Sequence, residues 1–320
     1  MTTHRPELVA TELVAVIIAM RSGEPHVLTV GRPGGVAALP AGPLRSEHRS
    51  LQSGLRAWVQ QLTGHTLGFA EQLYTFADRE RLGSHQRIIS VSYLGLAGGT
   101  TAADAVAPSE GANWRAVYDF FPTEDRRSDT DEALAEIVAR LRAWAGEAPV
   151  ITESRLARVD AAFGLSPELT DANWAPEGTL TRYELMWEAG LVDESRHDTE
   201  APGRGGHTLA PITGESMLHD HRRILATGLS RLRTTLQYRP VVFELMPDEF
   251  TLRDLQDCVE AVCGTRLHTQ NFRRLVLGQD LVEPTGGHES KTGGRPARLF
   301  HFRREVVGTR PVGLALPRSR

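Results

Sequence analysis

From Thr269 to Arg274 the chain reads Thr-Gln-Asn-Phe-Arg-Arg, a run of side chains suited to reading the edges of base pairs. A guanidinium presents paired donors to guanine O6 and N7, and the amides of Asn and Gln match adenine N6 and N7. The pattern predicts a helix from about His268 to Leu277, stopped by Gly278. Phe272, Leu275 and Val276 share one face of it, while Gln270, Arg273 and Arg274 project from the other and Asn271 lies at the flank. Thr269, Gln270, Asn271, Arg273 and Arg274 are therefore the candidate contacts to duplex DNA.

The elements around this helix are those needed to present it. Thr251 and Asp254 form a capping-box start for a preceding helix bearing Leu252, Leu255, Val259 and Val262, which ends at Gly264. Two short helices joined by a glycine-containing turn make a helix-turn-helix. Strand-like Leu281–Thr285 and Ala297–Arg303 flank the glycine-rich, basic segment 286–296. That hairpin reads as a wing, with Lys291, Arg295 and Arg298 at or near its tip placed to meet phosphates or a minor groove. Charge agrees with this reading. From Gly264 to Arg320 there are 11 basic and 4 acidic residues, net +7, whereas the rest of the chain carries net −11. Gly286–Thr292 is not a phosphate loop, because Ser290 replaces the glycine before Lys291. Cys258 and Cys263 fall short of four zinc ligands even with His268, so they read as core residues and no metal site is expected.

A second constellation lies near the start of the chain. Leu39-Pro40-Ala41-Gly42, an amphipathic helix over 50–62 and then Thr63-Gly64 have the layout of a Nudix box. That box needs glutamates to hold the Mg²⁺ that neutralises a pyrophosphate and activates water. Read from Gly42, the Arg-Glu pair becomes Arg56-Ala57 and the paired glutamates become Gln60-Gln61. Read back from Thr63-Gly64, they become Ala57-Trp58 and Gln61-Leu62; Ser50–Leu62 contains no acidic residue at all. No catalytic residue is assigned, and the expectation is a domain that binds a nucleotide without hydrolysing it. Arg32, Arg79, Arg81 and Arg87 stand at strand ends where guanidinium groups can meet phosphates, and Phe76, Trp114 and Tyr118 are candidates to stack on an adenine. The competing reading is a hydrolase using Glu47 with Asp78 or Glu80.

These sites must be carried by a chain of 320 residues, 40% apolar and 24% charged, a globular composition with room for two or three domains. The longest apolar run, Leu13–Met20, is too short to span a bilayer, and with two cysteines and no evident export signal a cytoplasmic location is expected. Leu13–Met20, Val27–Val30, Glu71–Phe76 and Ile88–Leu96 read as strands, and the helix over 50–62 carries Leu51, Leu55, Trp58, Val59 and Leu62 on one face after a Ser50 cap. Asp131–Trp144 and Leu180–Ala189 have helical periodicity. From Met217 a further helix repeats Leu218, Leu225, Leu229, Leu232 and Leu236, as an interdomain brace or a dimer seam. The expected fold is α+β. A Nudix-like α/β/α sandwich over 1–122 is followed by a helical insertion and linker over 123–215 and a winged helix-turn-helix over 216–320.

A set of ordered segments extends these readings. EQLYTF at 71–76, RIISVSY at 87–93, Trp114 to Pro122, RYELMWEAGL at 182–191, RRIL at 222–225, RPVVFELMP at 239–247, NFRR at 271–274, EPTG at 283–286 and GRPARLFHF at 294–302 occur in that order. Together with Thr63-Gly64 and Phe250-Thr251-Leu252, the chain resembles the Nudix-related regulators of NAD biosynthesis, the NadQ type, a longer relative of NrtR. The resemblance implies a dimeric repressor that binds roughly palindromic operators of NAD-synthesis genes and responds to NAD, ATP or ADP-ribose, with no required cofactor. It places Gln270, Asn271, Arg273 and Arg274 on the recognition helix, and Arg295 and Arg298 in the wing.

Overall fold

The computed structural model describes residues 10–31, 35–44, 49–63, 67, 69–76, 88–98, 111–128, 130–165, 174–197, 210–289, 296–305 and 313–314. Among them, β1 (Ala10–Arg21) and β2 (Glu24–Val30) form a hairpin closed by Ser22 and Gly23, both at positive φ as a tight two-residue turn requires. After β3 (Ala41–Pro43) and α1 (Leu51–Thr63) come β4 (Phe69–Phe76), β5 (Ile88–Leu96), β6 (Ala112–Ala116) and the short α2 (Val117–Phe120). The sheet runs β4-β5-β1-β2-β6, with β3 paired to β1. β1 and β5 are parallel and the other pairs antiparallel.

Both faces of this sheet are covered, which explains the uninterrupted apolar run in β1. Leu13, Ala15, Ile17 and Ala19 join Leu55 and Val59 of α1 in one cluster. Val14, Val16 and Ile18 point the other way, into a larger cluster that includes Ile224, Leu225, Leu229, Leu232 and Leu236. Those leucines belong to α8 (His221–Tyr238), reached after α3 (Asp131–Gly146), α4 (Thr152–Phe163), α5 (Thr179–Glu188) and the single turns α6 (Glu194–His197) and α7 (Ala210–Thr213). The stripe expected as an interdomain brace or dimer seam thus lies against the sheet and supplies the second helical layer of the sandwich. Residues 221–238 thus pack on the sheet and are also bonded to the C-terminal elements with which the 216–320 block groups them. α5 packs along the outside of α8, which places the helical insertion as a further layer.

The C-terminal elements are β7 (Phe250–Thr251), α9 (Leu252–Cys263), α10 (Thr269–Gly278), β8 (Val282–Glu289) and β9 (Ala297–Phe302), the strands forming a small sheet in the order β7-β9-β8. Phe243 of the preceding 3₁₀ turn stacks on Phe302 at 4.0 Å between ring centres. Further on, the backbone N–H of the fully buried Leu314 donates to Leu236 O in the last turn of α8 at 2.9 Å. No helix among the described residues is long and apolar enough to cross a membrane.

Candidate nucleic-acid interface

α9 begins as its sequence predicts. Thr251 Oγ1 accepts from Asp254 N at 3.1 Å and Asp254 Oδ2 accepts from Thr251 N at 2.8 Å, a complete capping box. It ends at Gly264 in the left-handed region, where a Cβ would stand 2.1 Å from Glu124 O, so only glycine fits. Leu255, Val259 and Val262 of α9 bury with Phe272 and Val276 of α10 and Phe300 of β9, a core that fixes one face of α10. The opposite face is free to carry chemistry.

On that face Gln270, Arg273 and Arg274 are exposed. Asn271 is half-buried, and its Oδ1 accepts from Arg274 Nη2 at 3.1 Å. Thr269 sits differently from its expected role. Its Oγ1 is partnered by Gln256 Nε2 at 3.2 Å, so the hydroxyl serves the turn between the helices. Arg298 is exposed on β9 opposite His288, close to the end of the β8–β9 pairing. Lys291 and Arg295 lie outside the described residues. The turn leading into α10 is held by Glu260, whose Oε1 accepts from Leu267 N at 2.9 Å and from Gln256 Nε2 at 2.7 Å. Glu260 Oε2 also pairs with the exposed Arg266 at 3.3 Å. The result is a short helix presenting two guanidiniums and two amides outward from a rigid support.

The expected nucleotide site is only partly within view. Arg32, Arg79, Arg81 and Arg87 lie outside the described residues, as do Glu47, Asp78 and Glu80. Phe76 ends β4 opposite Ser90, and its side chain also lies outside what is described. Trp114 packs half-buried against the cluster around α1, with the Arg21 guanidinium 5.6 Å from its ring centre. Tyr118 departs from the stacking role. Its hydroxyl donates to Ala261 O of α9 at 2.5 Å and receives Arg233 Nη2 at 3.3 Å. Burial pushes its ionisation well above the usual tyrosine range, so it remains a neutral donor. Trp114 and Tyr118 reach different helical layers and do not line one cleft.

α1 keeps the form of its box. Ser50 Oγ accepts from Ser53 N at 3.1 Å at its start, and a Cβ on Gly42 would stand 2.5 Å from the Trp58 ring, so this glycine is set by packing. Arg56, Ala57, Gln60 and Gln61 are exposed, the positions that the register from Gly42 gives to the metal-binding face. An amide offers one weak neutral oxygen where Mg²⁺ takes carboxylates, so this helix does not fit the ion and no metal-assisted step is drawn through it.

A buried network lying outside every sequence expectation joins the layers. Glu124 bonds Arg182 Nε at 2.6 Å, Arg233 Nη1 at 2.6 Å and Thr179 Oγ1 at 2.8 Å, all nearly inaccessible to solvent. Burial alone would raise the Glu124 carboxyl, but the Arg182 and Arg233 guanidiniums outweigh it and hold it below the ordinary range. Arg222, equally buried, donates to Phe120 O at 3.1 Å and pairs with Glu194 at 3.3 Å. One signal for two of these was present: Arg222 and Arg233 fall on or beside the apolar stripe of α8, where a charge must have a buried partner.

Residues 242–302 match the family model described as the NrtR DNA-binding winged helix domain. A curated relative, the ADPR responsive transcriptional repressor NtrR of Acinetobacter baylyi, is 37% identical over 96 residues. That match takes in 30% of this chain and 38% of the relative's length. The fold is similar to Shewanella oneidensis NrtR complexed with a 27mer DNA, with a TM-score of 0.55, 17% identity, and coverage of 93% of this chain and 95% of that one. A MutT/nudix family protein from Enterococcus faecalis gives a TM-score of 0.50 at 12% identity, covering 95% of this chain and 90% of that one. The chain thus combines a Nudix-like fold, similar to that of the NrtR structure, with a C-terminal segment that matches the winged helix model.

Proposed function

We propose that the chain is a DNA-binding transcriptional repressor of NAD-biosynthesis genes, controlled by a nucleotide held in its Nudix-like domain. The observation that carries this reading is α10, whose outer face bears Gln270, Asn271, Arg273 and Arg274 on a helix-turn-helix of the matched DNA-binding family. Lys291, Arg295 and Arg298 add wing contacts to phosphate or minor groove. Two copies of the chain, as a homodimer, would set two recognition helices in successive major grooves ~34 Å apart on a roughly palindromic operator. ADP-ribose is the first effector to test, given the response printed in the relative's name, with NAD and ATP after it. Differential affinity for two dimer geometries would couple the effector to DNA. The acid-free α1 supports binding without hydrolysis.

The test is a mobility shift on promoter fragments of NAD-synthesis genes from the source genome, with and without each nucleotide. A shift altered by at least one of the three is the expected result. No shift, or indifference to all three, overturns repression or sensing respectively. AMP release from ADP-ribose with Mg²⁺ at catalytic rates would instead favour a hydrolase.

A further inference from the structure

Three carbonyls at the C-terminal end of α9 are taken by groups from outside the winged helix. The Tyr118 hydroxyl donates to Ala261 O at 2.5 Å, Arg233 Nε to Val262 O at 2.9 Å and the Arg126 backbone N–H to Gly264 O at 2.7 Å. Carbonyls in a last helical turn have no partner inside the helix, so the rest of the molecule supplies this cap. The Arg233 charge also faces the negative end of the helix dipole. Glu124 fixes Arg233 through its side chain, while its own carbonyl accepts from Arg233 Nη2 at 3.3 Å.

The same helix holds the start of α10. Glu260 bonds Leu267 N, and Gln256 Nε2 bonds Leu267 O at 3.1 Å and Thr269 Oγ1 at 3.2 Å. A clamp at residues 261–264 therefore lies within two turns of Gln256 and Glu260, the side chains that hold the start of the recognition helix.

We propose that Glu124, Arg233 and Tyr118 are positioning residues for DNA recognition. They set the angle at which α9, and α10 with it, stands to the sheet, and hence the separation at which two recognition helices meet a duplex. The apolar cluster beneath the winged helix runs on into the sheet and the insertion and packs these layers without setting a direction, whereas three directional bonds on one helix end do set one. This assignment rests on the DNA-binding function proposed above.

The experiment uses the full chain, a duplex that the wild-type chain selects from a randomised pool, and an unrelated duplex of equal length. Tyr118→Phe removes one hydroxyl and keeps the ring. It is expected to weaken the selected duplex about fivefold, the equivalent of one hydrogen bond, and to leave the unrelated duplex unchanged. Arg233→Lys keeps the charge but loses the fork that spans Glu124 and Val262, and is expected to lower the selected-to-unrelated ratio further. If Arg233→Lys fails to fold, Tyr118→Phe alone decides. An unchanged ratio with Tyr118→Phe, or an equal loss on both duplexes, overturns the assignment while DNA binding stands. Failure of the wild-type chain to select any duplex overturns the DNA-binding reading and this assignment with it.

Discussion

α1 and α10 are both short amphipathic helices with one face buried and one exposed, and both present guanidinium and amide groups outward, yet only on α10 do those groups suit the ligand that the surrounding motif implies. On α1 the cap, the buried leucine and valine and the close approach of Gly42 to Trp58 persist, while the metal-holding positions carry alanine and glutamine. On α10 the packing residues and the polar residues are both in place. Packing and chemistry therefore occupy separate faces, and one can be present without the other. A box that looks intact by its glycines and apolar spacing says nothing about its metal.

The strongest way to break this contrast is to strip the outer faces. Arg273→Ala with Arg274→Ala is expected to cost about 1–3 kcal/mol of specific duplex binding per residue, read by fluorescence anisotropy, with the thermal midpoint unchanged. Gln60→Ala with Gln61→Ala on α1 should change neither, and comparable losses from both pairs would end the distinction.

Acid sharpens it from the inside. The Glu124 carboxyl is held below its unfolded value of ~4.3, so it contributes stability above that pH and loses it as the pH falls through the lower folded value. Urea midpoints should drop steeply below about pH 4, and Glu124→Gln should flatten that limb. An acid limb identical in the two proteins would remove Glu124 as its source.

The caps should behave alike, because both serve packing. Ser50→Ala and Thr251→Ala are each expected to cost about 1 kcal/mol in denaturant unfolding. Restoring acids with Ala57→Glu, Gln60→Glu and Gln61→Glu should change stability least, within about 0.5 kcal/mol per substitution, since these positions are exposed. A larger loss would mean that this face packs against something.

Much of the architecture was legible because periodicity and caps coincided, as in β1, β5, α1, α9 and α10. β3 and β7 escaped because three and two residues are too short for a pattern. α4 escaped because only Val159 and Phe163 are buried in a polar sequence. The α8 stripe was visible, but apolar spacing cannot say whether the surface it meets is a sheet or a second helix. Tyr118 was misplaced because an aromatic ring suggests stacking, whereas here the hydroxyl does the bonding. The Glu124 network joins residues 58 and 109 positions apart, a separation that no local pattern encodes.

The bond from Leu314 to Leu236 has a mechanical consequence. The winged helix leaves α8 just after Tyr238 and its trailing segment is fastened beside the same turn, so both tethers share a single post. Sliding away from the sheet strains both at once, whereas a turn about the post falls on the three bonds that Tyr118, Arg126 and Arg233 make to the end of α9. A lever magnifies motion with distance from its fulcrum, so the give in those three bonds sets how far a slight twist carries the recognition helix.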